Sequence, residues 1–327
     1  MNDSLEQIYR AFDVAIKSTI ELPELEPSTV QKVDIILTSM AGGGLNEDVS
    51  WFHHWYSDDL KTEIAISIAR EPGGYRLRFP TLADFILSPK GETVVCEPYV
   101  GVSAETIRHL FLDQVLPRIL GQRGDLLLHA GSVEIGENSG IAFAGESGCG
   151  KSTLASSFQL ENAQFIADDC LKLKVVDGSL IGVSAYCGSR LWEDSIEELY
   201  PAGVSSSPVS HYSTKRRVSQ EHRKSSGETV LKAIFFLEDP QLSHTDEIQI
   251  ESLPGADAIM KLIKRSFLLD VVNVDSAARQ FDVIGKLIAT GPLFFSLQYP
   301  RKYSRLKDVR QAIMSTVLSL ESGRPAA

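Results

Sequence analysis

The sequence lacks any paired-cysteine motif. Its four cysteines, Cys96, Cys149, Cys170 and Cys187, include no C-x-x-C arrangement, which removes zinc-ribbon and dithiol-redox readings and leaves reduced thiols. Long hydrophobic runs are missing as well. No stretch approaches the roughly 20 apolar residues of a membrane span, and the opening "MNDSLEQIYRAFDVAIKSTIELPELEP" has no uninterrupted apolar core of the kind a signal peptide needs. An excess of positive charge is also absent. The 32 Lys and Arg against 43 Asp and Glu leave a net charge of -11, which argues against nucleic acid or an anionic membrane as a partner. These absences together predict a cytoplasmic protein.

What the chain does have is ordinary globular material: 43% hydrophobic and 23% charged residues over 327 positions, enough to bury a sizeable core. The first hundred residues read as a small strand-rich domain. Val33–Ser39, Thr62–Ala69 and Gly74–Phe79 carry strand alternation, and "EPGG" (71–74) and "SPKGE" (88–92) supply turns between them and the runs "FILS" and "TVVCEPY". The aromatic cluster "WFHHWY" (51–56) is expected to contribute to the core of that domain. A helix is predicted over Ala104–Leu120, capped by Ser103, ended by Gly121 and bent by Pro117 near its last turn.

Residues 101–327 read as a second, α/β domain. Apolar runs at Leu126–Ile135 and Gly140–Ala144 flank the turn "GENSG" and predict an antiparallel hairpin. "STLASSFQL" follows as a helix and "QFIADDC" as a short strand. Further strands are expected at "AIFFLEDP" and "PLFFSLQYP", and helices at Pro254–Phe267, Ala277–Ala289 and Leu306–Leu320. Between them, about residues 201–228, lies a serine-rich and basic stretch expected to be a flexible loop, either a tether or a lid.

The most specific motif is "GESGCGKST". Gly145 to Ser152 satisfies G-x-x-x-x-G-K-[ST], with a strand before it and a helix after it. Glycines at 145, 148 and 150 let backbone N–H groups turn inward toward phosphate oxygens. The following helix points its positive end at the same anion. Lys151 can reach terminal phosphates, Ser152 can ligate Mg²⁺, and Thr153 can contribute a hydroxyl or cap the helix. The loop residues Glu146, Ser147 and Cys149 complete the nucleotide-binding set, with Cys149 a space-filling residue. The cofactors expected are therefore ATP and Mg²⁺.

Downstream, Asp168 and Asp169 end the short strand. Two adjacent carboxylates at a strand end can divide the work, one holding Mg²⁺ and the other accepting a hydroxyl proton. His129, on the first strand of the hairpin, can sense or share charge at the same place. Arg190 stands at a distance suited to a second phosphate contact, weighed equally against an ordinary surface arginine. Glu238 and Asp239, at the end of "AIFFLED", compete for the metal role less well because they lie farther from the loop. His211 and His222 have no metal-like spacing and are assigned to the serine-rich loop with Lys215, Arg216 and Arg217.

Taken together, His129, the hairpin, the loop, the helix and "ADD" resemble the catalytic domain of the HPr serine kinase/phosphorylase family. That family carries a histidine before a hairpin, then G-[DE]-S-G-x-G-K-S, a helix, a strand and "ADD". The likeness is good over roughly Leu126–Lys174 and loose elsewhere. It implies a P-loop mixed sheet with flanking helices. Lys151 and Ser152 would bind nucleotide phosphate and Mg²⁺, and Asp168 would assist the metal. Asp169 would accept the proton of a substrate serine, and His129 would be the active-site histidine.

The chain also departs from that pattern. Thr153 stands where bifunctional members carry an acid. "CGSRLWEDS" (187–195) replaces the stretch with a metal-binding glutamate, leaving Arg190, Glu193 or Asp194 as substitutes. No copy of the segment tied to the reverse reaction is present, so a kinase is expected. "LPEL" (22–25), Leu120–Ala130 and Arg190–Ser195 are similar to a divergent, PEP-carboxykinase-like branch, some members of which phosphorylate a serine of a lasso peptide. The resemblance thus implies a peptide or small-protein substrate with an acceptor serine, and a homo-oligomer. The alternatives are a non-catalytic ATP-binding sensor or assembly module, and a small-molecule kinase or PEP-carboxykinase-like enzyme.

Overall fold

The computed structural model describes residues 6–42, 48–56, 63–186, 188–210, 213–218, 227–240, 246–290 and 293–321. It is a mixed α/β protein. Two units divide the chain: one from 1–125, 208–214 and 267–279, the other from 126–207, 215–266 and 280–327.

The first unit carries nine strands: β1 (Gln7–Ala11), β2 (Val14–Ser18), β3 (Glu26–Pro27), β4 (Ile35–Ser39), β5 (Trp51–Tyr56), β6 (Ile64–Glu71), β7 (Gly74–Phe79), β8 (Ala83–Leu87) and β9 (Thr93–Pro98). They form one sheet in the order β3-β1-β2-β4-β9-β8-β7-β6-β5. The meander β6 to β9 follows the expected turns. The β1–β2 hairpin turns instead at Phe12, which has a positive φ of 54°, so no glycine or Asn-Gly pair announces it. The aromatic stretch does not fill the core. As β5 it lies at the sheet edge with no fully buried residue, and Trp55 and Tyr56 are 37% and 53% exposed. Arginines cover its rings: Arg78 over Trp51, Arg70 over Phe52 and Arg118 over Trp55.

The helix starts at Ala104 as expected, with the Ser103 side chain accepting from the Thr106 N–H. It does not stop at Gly121. α1 (Ala104–Leu110) passes through a π-helical turn at Phe111–Val115 into α2 (Leu116–Arg123), which ends at Gly124 with φ 106°. Pro117 lies just beyond the π turn, where its missing N–H favours a local change of hydrogen-bond register. Gly121 is inside the helix because a Cβ there would come 2.4 Å from the Phe267 carbonyl oxygen.

The second unit begins with β10 (Leu126–Leu128), β11 (Ala130–Gly136) and β12 (Ser139–Ala144). α3 (Lys151–Gln159), β13 (Gln164–Ala167), β14 (Leu171–Val176), β15 (Ser179–Ser184), β16 (Ser189–Leu191) and α4 (Glu193–Leu199) follow. Next in chain order come β17 (Ser206–Ser210), β18 (Ser213–Val218), β19 (Glu228–Leu237), β20 (Gln249–Ser252), α5 (Gly255–Arg265), α6 (Val274–Ala289), β21 (Leu293–Gln298) and α7 (Leu306–Glu321), of which β17, β18 and α6 each have part of their residues in the first unit. The main sheet runs β10-β14-β15-β19-β12-β11-β13, with β21 also on β19 and β20 on β21. β12 runs parallel to β19, and β19 parallel to β21. The expected flexible loop is in part ordered: β17 and β18 fall inside it, in a small sheet of order β16-β18-β17. His211, His222 and Cys187 lie outside the described residues.

Alternation along the central strands fills two cores, one on each face of the sheet. Ile141 and Phe143, with Phe235 and Phe295, pack against Leu154 and Phe158 of α3 and Val309 and Ile313 of α7. Ala142, Ala144, Ile234 and Phe236 face Leu262 of α5 and Ile284 and Leu287 of α6. Phe143 stacks on Phe158 at 5.7 Å between ring centroids. Each such buried phenylalanine contributes about 1.5–3 kcal/mol, and this packing fixes the junction from which the glycine loop departs. Among the described residues, no helix is long and apolar enough to cross a membrane.

Candidate active site

The loop from Gly145 to Gly150 joins the C-terminal end of β12 to the first turn of α3. Gly148 and Gly150 hold φ of 78° and 82°, a left-handed region that costs other residues about 1–2 kcal/mol each. A Cβ on Gly150 would also come 3.1 Å from the Tyr299 hydroxyl. α3 begins at Lys151 with no side-chain cap, so its first N–H groups are left for another acceptor. Gly150, Lys151, Ser152 and Thr153 line a cavity of about 340 Å³.

Lys151 is buried at 4% exposure. Its ammonium donates to the carbonyls of Gly145 (3.1 Å) and Glu146 (2.8 Å). Burial lowers its pKa, and the charges of Asp169 and Asp168 work against that shift. Ser152 Oγ donates to Asp168 Oδ1 at 2.8 Å. Asp168 also accepts the backbone N–H groups of Arg190 at 2.7 Å and of Asp169 at 3.2 Å. Burial, and then the neighbouring Asp169 charge, push its carboxyl up to about 6.

Asp169 is held differently. It occupies a left-handed conformation with φ 62°, a strained state for a non-glycine residue that persists where surrounding contacts enforce it. Arg190 Nη1 donates to Asp169 Oδ2 at 2.9 Å, and His129 Nε2 lies 3.3 Å from Asp169 Oδ1. Burial alone would raise this carboxyl; the His129 hydrogen bond and the Arg190 guanidinium override it and hold it well below the usual carboxylate range. His129 has its own pKa lowered, first by burial and then by the Lys151 charge. A neutral imidazole near pH 7 then donates from Nε2 to the ionised Asp169.

His129 does not sit within a strand, as expected, but at the break between β10 and β11, where its N–H donates to the Arg265 carbonyl at 2.8 Å. That break lets β10 pair with β14 while β11 continues beside β12, and His129 lines the cavity. Arg190 is not a surface arginine. It is 1% exposed on β16, with its guanidinium 5.5 Å from the Tyr186 ring centroid.

The remaining loop residues separate. Ser147 lines the cavity. The Glu146 side chain instead accepts from Arg265 Nη2 at 2.7 Å, and Cys149 is 2% exposed, its thiol pushed up by burial. Thr153 Oγ1 lies 3.2 Å from Ser195 Oγ, which meets the Tyr303 hydroxyl at 2.9 Å. Of the competing acids, Glu238 accepts from Lys261 at 2.7 Å. From the serine-rich stretch, Lys215 reaches the cavity wall, 5.2 Å above the Trp192 ring.

Tyr299, Arg301, Lys302 and Tyr303, which no motif marks in the sequence, also line the cavity. Their only signal was position: they follow a strand parallel to the loop-bearing sheet, on the side where such sheets gather ligands. The walls hold Lys151, Arg190, Lys215, Arg301 and Lys302 against Asp169 and Asp194, an excess of positive charge inside a chain of net charge -11.

No cluster of three His, Cys, Asp or Glu able to hold a metal ion occurs among the described residues. Mg²⁺ bound with a nucleotide does not need one, since one or two protein oxygens complete a shell of phosphate and water. The Ser152–Asp168 pair offers that hard-oxygen platform, and the glycine loop offers donors for phosphate; the residues present fit Mg²⁺ and a nucleoside triphosphate.

No protein-family model and no curated protein matches the chain. Among solved structures it is similar to the HPr(Ser) kinase/phosphatase from Coxiella burnetii, over 60% of this chain and 98% of that one, at 13% identity and a TM-score of 0.34.

Proposed function

We propose that the chain is an Mg²⁺- and ATP-dependent kinase that transfers the γ-phosphate to a hydroxyl, that of a serine in a peptide or small protein. One observation carries this reading: a cationic cavity in an acidic protein is lined by glycine-loop residues, by Ser152 with Asp168 hydrogen-bonded behind it, and by the His129–Asp169–Arg190 cluster. A cavity of this charge selects a polyanion, and the acid pair supplies what transfer to a hydroxyl requires.

The roles follow from the contacts. Lys151 exchanges its loop carbonyls for phosphate oxygens, joined by the N–H groups at the start of α3. Ser152 and Asp168 would hold Mg²⁺, which when bound neutralises charge on the phosphates. Asp169, kept ionised by Arg190 and His129, accepts a hydrogen bond from the acceptor hydroxyl. The hydroxyl oxygen forms its bond to the γ-phosphorus as the bond to the bridging oxygen breaks. The electron pair leaves with ADP, and the hydroxyl proton passes to Asp169. A carboxylate of low basicity suits this step, because phosphoryl transfer is loose and the proton moves late; Asp169 contributes chiefly orientation.

Incubation with γ-labelled ATP and the products of neighbouring genes tests the proposal. Label is expected on a serine with the native chain and absent with Asp169→Asn. Equal labelling by both would sink the catalytic reading. ATP-dependent partner capture that survives Asp169→Asn but fails in Lys151→Ala, with no label transferred, would favour a non-catalytic nucleotide sensor.

A further inference from the structure

The cations around the cavity are mostly spoken for. Lys151 is bound to two loop carbonyls, Arg190 to Asp169, and Arg265 beneath the loop to Glu146. Arg301 differs. Its Nη2 donates to the Glu238 carbonyl at 2.8 Å, while its buried Nε and Nη1 make no hydrogen bond of good geometry among the described residues, the Tyr299 hydroxyl being close enough only to interact weakly. Desolvated guanidinium donors without partners carry a free-energy cost that folding alone does not explain.

Its position says what they are for. The guanidinium lies 3.7 Å from the centroid of the Tyr299 ring, a stacked arrangement that fixes its plane. A Cβ built on Gly150 would be 3.6 Å from Arg301 Nη1. Nη1 therefore flanks the residue that opens α3, on a residue that lines the same cavity. Tyr299 is 5% exposed, and burial raises its hydroxyl pKa against the lowering pull of the Arg301 charge and hydrogen bond, so the ring under Arg301 remains a neutral phenol.

We propose that Arg301 is a phosphate-binding residue of this site, donating from Nη1 to a phosphate oxygen of the nucleotide while Tyr299 and the Glu238 carbonyl hold it in place. This rests on the nucleotide reading of the cavity and extends it: the loop alone does not account for the charge at the Gly150 end. The ligand class it selects is a nucleoside di- or triphosphate, and the contribution is to phosphate rather than to base.

Titration calorimetry with ATP, ADP, pyrophosphate and adenosine tests it, on the full chain and on Arg301→Met, Arg301→Lys and Lys151→Ala. Arg301→Met keeps the apolar stem over Tyr299 and should weaken ATP, ADP and pyrophosphate about 10- to 100-fold, the worth of one hydrogen bond to a charged group. Adenosine binding should be unchanged, and Arg301→Lys should recover part of the loss. Melting temperatures without ligand establish that each variant is folded. ATP binding equal in the native chain and a folded Arg301→Met overturns this proposal while sparing the nucleotide reading. Failure of the native chain to bind any phosphate ligand overturns the nucleotide reading itself, and this proposal with it. Should neither Arg301 variant fold, arginine Nε resonances of the native chain decide: no resonance shifting with saturating pyrophosphate overturns the proposal.

Discussion

Arg190 grips both members of the acid pair, with its backbone N–H on Asp168 Oδ2 at 2.7 Å and its guanidinium on Asp169 Oδ2 at 2.9 Å. One residue thereby contacts two adjacent carboxylates whose ionisation diverges, with His129 holding Asp169 down as well. Asp168 takes only the backbone N–H as a hydrogen bond from Arg190, and burial with the Asp169 charge drives its carboxyl up to about 6. Asp169 receives a full charge and stays ionised.

Removing that charge while leaving the backbone contact is the direct test. Arg190→Met should cost about 3–5 kcal/mol of stability, since it strands a buried carboxylate. Phosphoryl transfer should fall about 10³-fold, as for loss of other transfer-site arginines. Denaturant melts and single-turnover rates measure the two. Transfer within a factor of two of the native rate would remove Arg190 from the reaction.

Asp168 makes a prediction about pH. In the folded, metal-free chain its carboxyl binds a proton up to about 6, whereas in the unfolded chain it ionises near 4. Between those values the folded state holds more protons, so this group lowers stability as pH rises from about 4 through about 6. Asp168→Asn should remove that component of the slope, read from urea midpoints against pH. Mg²⁺ requires the ionised form, so Mg²⁺-dependent ATP affinity should weaken as pH falls through about 6 and binding should release a proton there. Affinity flat from pH 5 to 8 would remove Asp168 from the metal site.

Gly150→Ala separates conformation from chemistry. The substitution asks alanine to hold φ 82° and to sit 3.1 Å from the Tyr299 hydroxyl. A stability loss of about 1–2 kcal/mol is expected from the backbone alone, with nucleotide binding reduced more than tenfold because the loop must open to relieve it. Calorimetry alongside a denaturant melt distinguishes the two; native affinity would show that the loop's shape is not what binds.

Features legible in the sequence were those written locally. Three glycines, a lysine and three hydroxyls within nine residues describe a loop whose conformation depends on its own φ angles. The strands β12, β19 and β21 were visible because their residues face two cores and so read as continuous apolar runs. His129 and the acid pair were legible through motif order, yet the break between β10 and β11 that aims the imidazole was not, because it is made by pairing with β14, where Leu128 meets Leu171 far along the chain. Arg190 was a coin toss in the sequence; its burial depends on β18 and Tyr186, which no spacing rule supplies. Tyr299 and Arg301 were missed for the same reason. An arginine after a strand looks solvated until the fold brings Gly150 beside it. The β17 and β18 strands were hidden by serine-rich composition that resembles a loop.

Lys151, turned back on the carbonyls of Gly145 and Glu146, bears on how selective such a site can be. A lone sulfate or a single surface phosphate offers little more than the two carbonyls it would displace, so the exchange is close to neutral. Only a ligand that engages the lysine and several further donors at once outweighs the partners given up. The resting loop is thus a competitor tethered at fixed local concentration, and it sets a threshold of valence below which anions in the cell pass by.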